Sequence, residues 1–439
     1  MKESWEIFLD FFGQYYSLFL VFVGHSTFFF VCLNAAWPSP VLPKLSDTKD
    51  NPLGYPITPD ESDLIGSLFF VGASIGPLLT IGIVERFGRR KILTFMSLIV
   101  PIAYTLLAFG ENVELYYVCR VFLGLYSGAA LSMEPVYISE VLPPKQREFL
   151  MSFVTFFGFS GILITYSVVP FVPLSYFNAS IAVISSIFIV LLSFGCPKSP
   201  YFLIKTEGSD STRYLLKKLR NSNDVDGELE DIQASVTENV EKSVFSIFTS
   251  KQNWKIVILA TVPLLLQQFS GMTVVVTYSQ LIFEQTNVSI PSQFCSIIVV
   301  GLQVSTAFLT PVLLKSNRIS RNSLLMLCLT GLGACNCTLG LYFLFGKDVE
   351  WLNWLPLLAL VAFVLFYNCG IDPIPWMMLG EIYPNNLSSI GSAVSTSVFL
   401  FSIFPILYLF KKVHIAYLFL GPGILSFLGV LYVKFVLGR

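Results

Sequence analysis

The chain has 439 residues, of which 54% are hydrophobic, 15% aromatic and only 13% charged, with a net charge of −1. A soluble globule of this length would carry about a quarter charged residues, so the composition is that of a membrane protein, and the balanced charge gives no case for nucleic acid as a partner. Eight scattered cysteines show neither zinc-ligand nor redox spacing, so no metal and no cofactor is expected.

Apolar runs of about 20 residues, long enough to cross a bilayer, recur twelve times: 14–36, 62–84, 92–110, 114–134, 149–171, 179–196, 254–283, 292–314, 323–345, 353–379, 388–410 and 413–434. The start, Met1-Lys2-Glu3-Ser4, is no cleavable signal, so the first run is expected to double as an uncleaved anchor. His25 lies midway along that run, where a titrating group could couple protons, although a hydrogen-bonded histidine inside the bundle is the favoured reading.

After the second run comes the basic knot Glu85-Arg86-Phe87-Gly88-Arg89-Arg90-Lys91, too charged for hydrocarbon and resistant to translocation. A fainter copy, Asn317-Arg318-Ile319-Ser320-Arg321, follows after the eighth run, which points to duplicated halves and hence to a transporter. Six runs precede the only long polar interval and six follow it. The expected organisation is an N-terminal six-helix bundle over 1–196, a cytoplasmic helical linker over 197–253 and a C-terminal six-helix bundle over 254–439. Within the linker, 211–220 and 227–241 read as short surface helices.

Placing both termini and the linker in the cytoplasm puts roughly 21 of the 27 basic residues inside, with Lys411-Lys412 the main exception. Two sequons, at Asn178 and Asn287, then fall in outside loops and are expected to be glycosylated, whereas Asn336 lies in a run and Asn386 lies inside.

In the seventh run, Gln267, Gly271, Val274 and Tyr278 recur at helical spacing, so one face shows an amide, a glycine and a phenol. Amides suit sugars because each donates to one hydroxyl while accepting from the next, and a neutral ligand needs no buried counter-ion. In the tenth run, Asp372 precedes Pro373, an acid at a proline-broken helix near mid-membrane and so a functional candidate. The only histidines are His25 and His414, and no nucleophile or metal constellation accompanies them, so an enzyme is not expected.

Six segments in order carry a family resemblance: Gly82 to Arg90; Arg120; Pro135-Val136-Tyr137-Ile138-Ser139-Glu140 with Arg147; Pro197-Lys198-Ser199-Pro200; Gln267-Gln268-Phe269-Ser270-Gly271; and Pro373-Ile374-Pro375-Trp376 before Gly380-Glu381. The chain resembles the sugar porter family of the major facilitator superfamily, and more narrowly the insect facilitated trehalose transporters. The resemblance implies an all-α membrane protein of twelve transmembrane helices in two six-helix bundles, lying in the plasma membrane and moving a small neutral sugar, trehalose or a hexose, by alternating access.

It also implies site roles. Gln267 and Gln268 would bind sugar hydroxyls and Trp376 would stack on the ring, with Thr273, Thr155 and Asn368 completing the site. Glu85, Arg86, Arg89, Arg90, Glu140, Arg147, Arg318, Arg321 and Glu381 would form a cytoplasmic latch of arginines and carboxylates that holds the outward-facing state together. Departures are visible. Thr273 and Thr155 stand where relatives carry amides, Lys198 reverses the charge of a usual glutamate, and Asp372 replaces a usual glycine. Proton-coupled relatives typically carry an aspartate in the first span, where this chain has Leu33-Asn34, so facilitated diffusion is favoured. A non-transporting sugar sensor, a proton-coupled carrier and an organic-solute carrier of the same fold stay as alternatives, and the oligomeric state stays open.

Overall fold

The computed structural model describes residues 3–47, 51–151, 153–239, 251–286, 290–307, 320–347, 349–383, 385–409 and 413–437. All regular elements among them are helical. Ten helical stretches are long and apolar enough to cross a bilayer, and two shorter apolar ones, Ser292–Thr306 and Ile390–Ile406, fall where the eighth and eleventh spans are expected. Their order matches the twelve apolar runs.

Local chemistry sets the helix ends. Thr58 and Glu61 form a reciprocal capping box that starts the second span, Pro59–Phe87. That helix stops at Gly88, whose φ of 80° lets the chain reverse in one residue before Arg89–Ser97 begins. The third span continues as Ile99–Phe109 after a break at Leu98, because Pro101 has no N–H for the carbonyl of Ser97. Three boundaries depart from the hydropathy reading. The first span runs past residue 36, its helix Tyr16–Ala36 continuing nearly unbroken into Pro38–Ser46, since Pro38 occupies a first-turn position where no N–H is needed. The fourth extends through Pro135 to Val141, and the sixth begins five residues early, as Leu174–Gly195. The linker forms helices Pro200–Thr206, Ser209–Arg220 and Asp226–Asn239.

Helix pairing follows the duplication. The third span packs on the sixth as the ninth, Arg321–Leu341, packs on the twelfth, Ile415–Tyr432; the first packs on the fifth as the seventh packs on the eleventh. Across the two halves, the second span packs on the eleventh, Asn385–Leu409, and the fifth packs on the eighth, which are equivalent pairs under the same repeat. A twofold relation between six-helix units produces this pattern directly. The first and fourth spans are central, with 67% and 61% of their apolar windows buried, against 33% and 28% for the sixth and twelfth at the rim.

Small residues allow the closest approach. A Cβ placed on Gly124 would lie 1.9 Å from the Phe69 carbonyl oxygen, and one on Gly72 would lie 1.9 Å from that of Val121. The second and fourth spans therefore meet backbone to backbone, which supplies the dispersion contact that association in a bilayer relies on.

Candidate functional site between the two halves

Two interrupted helices build the site. The seventh span breaks between Lys251–Gln268 and Met272–Glu284, where Gly271 takes φ 93°, a conformation that favours glycine. The tenth breaks between Leu355–Phe366 and Pro373–Ile382 through a single π turn, Tyr367–Ile371, closed by a 2.9 Å bond from the Asp372 N–H to the Tyr367 carbonyl. Pro373 and Pro375 cause the widening, because neither can donate to the carbonyl one helical turn back. Broken helices at membrane depth persist where they line a polar cavity or protein interior.

Side chains from these breaks converge. Gln267, 3% exposed, donates from Nε2 to the Tyr367 hydroxyl at 3.1 Å and to the backbone oxygen and Oδ1 of Asp372, each at 3.3 Å. Gln268 accepts from Thr273 at 3.1 Å. Asn368 donates to Thr306 at 2.6 Å and to the Gln303 carbonyl at 3.3 Å, tying the π turn to the eighth span. Asn336 of the ninth span donates to the freed carbonyl of Ser270 at 2.9 Å. Trp376 is half-buried, its ring edge-on to Phe399 at 5.5 Å. Of the six residues expected in the site, Gln267, Gln268, Thr273, Asn368 and Trp376 lie on the two broken helices, while Thr155 is half-buried in the first turn of the fifth span on the other half.

Several buried atoms here have no protein partner: Gln267 Oε1, Gln268 Nε2, Ser270 Oγ, Gln303 Oε1 and Asn336 Oδ1. A buried polar atom left unsatisfied costs about 1–3 kcal/mol. A set that mixes acceptors with a donor is completed by hydroxyl groups, which do both. Gln303, Asn336 and Tyr367 were not singled out by sequence, although an amide or phenol inside an apolar run is the signal that marks them.

The end of the bundle away from the linker is shut. The Tyr278 hydroxyl reaches the second span so closely that a Cβ on Gly66 would lie 2.5 Å from it; the Gln280 N–H donates to Ser39 at 3.4 Å, and Tyr166 of the fifth span donates to the Val276 carbonyl.

At the linker end, Arg89 pairs with Glu140 at 2.7 Å, and Ser199 donates to the same carboxylate at 2.5 Å. Arg90 donates to the Cys196 carbonyl at 2.7 Å. Arg86 is exposed, with its guanidinium over the Phe87 ring, and Arg147 is half-buried with Nε lacking a partner. Arg321 opens the ninth-span helix. Arg318 and the side chains of Glu85 and Glu381 lie outside the described residues. Arg220, not expected from sequence, joins the linker to the fourth span by donating to the Val141 carbonyl at 2.8 Å while pairing with Glu228. Lys198 meets Glu207 at 2.6 Å.

His25 and Arg120 are both fully buried in the N-terminal half. His25 Nδ1 lies 2.5 Å from Glu134 Oε1 and its Nε2 lies 3.2 Å from the Leu150 carbonyl, which is the bundle histidine favoured above. Arg120, fully buried, donates to the carbonyls of Ile65 and Asn34 at 2.8 and 2.6 Å and sits over the Phe69 ring at 4.6 Å. No ion pair among the described residues gives it a carboxylate.

One expectation is corrected. Asn178 is not in a loop but inside the sixth-span helix, 0% exposed, accepting from Trp37 at 3.2 Å and donating to the Leu107 carbonyl at 3.0 Å. An asparagine so enclosed cannot receive a glycan. Asn287 lies outside the described residues.

Ten membrane-length helices and two shorter apolar ones among the described residues, paired in a repeated pattern with a polar site at the breaks of the seventh and tenth, define a secondary transporter of the major facilitator fold. The chain belongs to the sugar (and other) transporter family, whose model matches residues 39–437. It is 29% identical over 394 residues to the facilitated trehalose transporter Tret1 of Bombyx mori, covering 87% of this chain and 75% of that one. It is 27% identical over 379 residues to the solute carrier family 2, facilitated glucose transporter member 6, of Mus musculus, covering 82% and 75%. A partially occluded inward open structure of the xylose transporter XylE from E. coli superposes with a TM-score of 0.78 at 19% identity, covering 96% of this chain and 98% of that one, a likeness of fold.

Proposed function

We propose that this chain carries a sugar, trehalose or a hexose, down its gradient by alternating access, and that it is a carrier rather than an enzyme. The observation that supports this most is the group of buried amide and hydroxyl atoms at the seventh and tenth helix breaks whose hydrogen bonds are incomplete within the protein. A polyol completes them, and it leaves again because its hydroxyls trade protein partners for water at little net cost. Carriers need this weakness: a millimolar affinity is about −4 kcal/mol. Trehalose enters through the named insect relative.

In the proposed cycle, residues 1–196 and 254–439 rock as two bodies about the second–eleventh and fifth–eighth contacts, with 197–253 as the cytoplasmic connection. The chain lies in the plasma membrane with both termini inside. Gln267, Gln268, Thr273, Asn368, Thr155 and Trp376 contact the sugar, and the Arg89–Glu140–Ser199 cluster, with Arg90 and Arg147, steadies the linker end of the N-terminal unit.

The test is uptake of labelled glucose and labelled trehalose into oocytes expressing the chain. Gln267→Ala should lower uptake roughly 5- to 30-fold, the loss of one or two hydrogen bonds to a ligand, with surface expression unchanged. Uptake of an ionic solute in place of both sugars would overturn the assignment.

A further inference from the structure

Resting on the sugar-carrier reading above, we infer that Asp372 extends its substrate class to sugars that carry a protonated amine. Three observations meet at this residue. First, its carboxylate is inside the site itself, since Gln267 donates to Oδ1 at 3.3 Å from the same nitrogen that donates to the Tyr367 hydroxyl at 3.1 Å. Second, it is half-buried, held at the end of the π turn Tyr367–Ile371 against the buried amide of Gln267. Third, none of the ion pairs among the described residues includes it.

The contrast with Glu134 is direct. That carboxylate is 1% exposed and has His25 at 2.5 Å; among the described residues Asp372 has the neutral amide of Gln267 as its donor and no cation. A carboxylate withdrawn from water without a cation is costly, and a ligand that brings the cation offsets that cost. Nearby, Gln267 Oε1, in a side chain 3% exposed, has no donor, as have Gln303 Oε1 and Asn336 Oδ1. The unmet demand in this half of the site is thus mostly for donors, and an ammonium is a donor with three N–H groups and no acceptor. An amino sugar supplies this while keeping the remaining hydroxyls for the amides. Charge-assisted hydrogen bonds are roughly twice as strong as neutral ones, so the preference is for the amine over its hydroxyl isostere.

Purified full-length chain in proteoliposomes at neutral pH tests this, with glucose and 2-amino-2-deoxyglucose as an almost isosteric pair. In the wild type, the amino sugar should compete for labelled glucose uptake at about tenfold lower concentration than unlabelled glucose, and it should raise the melting temperature of the detergent-solubilised chain at lower concentration. Asp372→Asn should bring the ratio of the two sugars to about one, whatever happens to the absolute rate. If the variant does not fold, the wild-type competition and melting curves decide alone. Equal competition by the two sugars in the wild type, or an amine preference kept in Asp372→Asn, overturns the proposal while neutral-sugar transport still stands. Glucose uptake that rises on acidification and loses that rise in Asp372→Asn also overturns it, because the cation would be a proton. Failure to take up either neutral or amino sugar sinks both this and the carrier reading; uptake of the amino sugar alone keeps the inference and removes the neutral substrate.

Discussion

His25 and Glu134, 109 residues apart, form one buried pair, with 2.5 Å between Nδ1 and Oε1 and the histidine's other nitrogen 3.2 Å from the Leu150 carbonyl. The pair ties the first and fourth spans to the short helix Pro144–Met151. Packing around it is tight, since a Cβ on Gly24 would lie 2.1 Å from Ile138 Cδ1. Removing one member of such a pair strands the other in a dry environment, at roughly 3–5 kcal/mol. Glu134→Ala and His25→Ala should each cut the yield of folded protein in detergent, measured by size-exclusion profile and melting temperature. The double variant should lose less than the two single losses combined. Strict additivity would argue against a mutual bond.

Gly124 and Gly82 predict opposite outcomes from one substitution. A Cβ on Gly124 would lie 1.9 Å from a backbone oxygen of the second span, which cannot move aside as a side chain can. Gly124→Ala should push the second and fourth spans apart and abolish folded expression. Gly82 has no neighbour within 4 Å of its built Cβ, so Gly82→Ala should be neutral or stabilise slightly, by at most about 1 kcal/mol. Fluorescence-detected chromatography of tagged chains separates the two.

Glycosylation offers a check on the sixth span. Because the Asn178 amide is enclosed by Trp37 and Leu107, Asn178→Gln should leave electrophoretic mobility and its response to peptide N-glycosidase unchanged. If the chain is expressed in insect cells, any glycan-dependent shift should be lost in Asn287→Gln. A shift lost in Asn178→Gln instead would place the start of the sixth span outside the membrane.

Arg89 and Glu140 are 21% and 10% exposed, so solvent screening limits what their pair adds to stability to no more than about 1 kcal/mol. Its consequence should be conformational. Glu140→Gln should change melting temperature little, yet it frees both Arg89 and Ser199 and should raise maleimide labelling of a cysteine placed at Ser199 relative to the same cysteine beside an intact Glu140. Unchanged labelling in both backgrounds would mean the cluster only steadies the linker.

Span number and order and the reversal at Gly88 were legible from residues alone, because bilayer thickness imposes a run length and a charged knot cannot enter hydrocarbon; these are local demands, readable within twenty residues or so. Helix ends were less legible. Hydropathy stops at Asn178 and Glu134, yet the helices continue, since backbone bonding inside a bilayer is compulsory and a polar side chain that finds a partner does not end a helix.

Partnership itself was decided only by the tertiary structure. Asn178 reads as a sequon until Trp37 and Leu107 enclose it; His25 reads as a hydrogen-bonded bundle histidine, but only the fold names Glu134 as its partner; Asp372 reads as a functional candidate at a broken helix, and only the π turn sets its carboxylate against Gln267. Each depends on a side chain more than 100 residues distant, Trp37, Glu134 or Gln267, brought close by the packing of spans. Hydropathy carries no information on which polar group will face which, and in a medium without water that choice determines whether a buried group is structural, reactive or ready for a ligand.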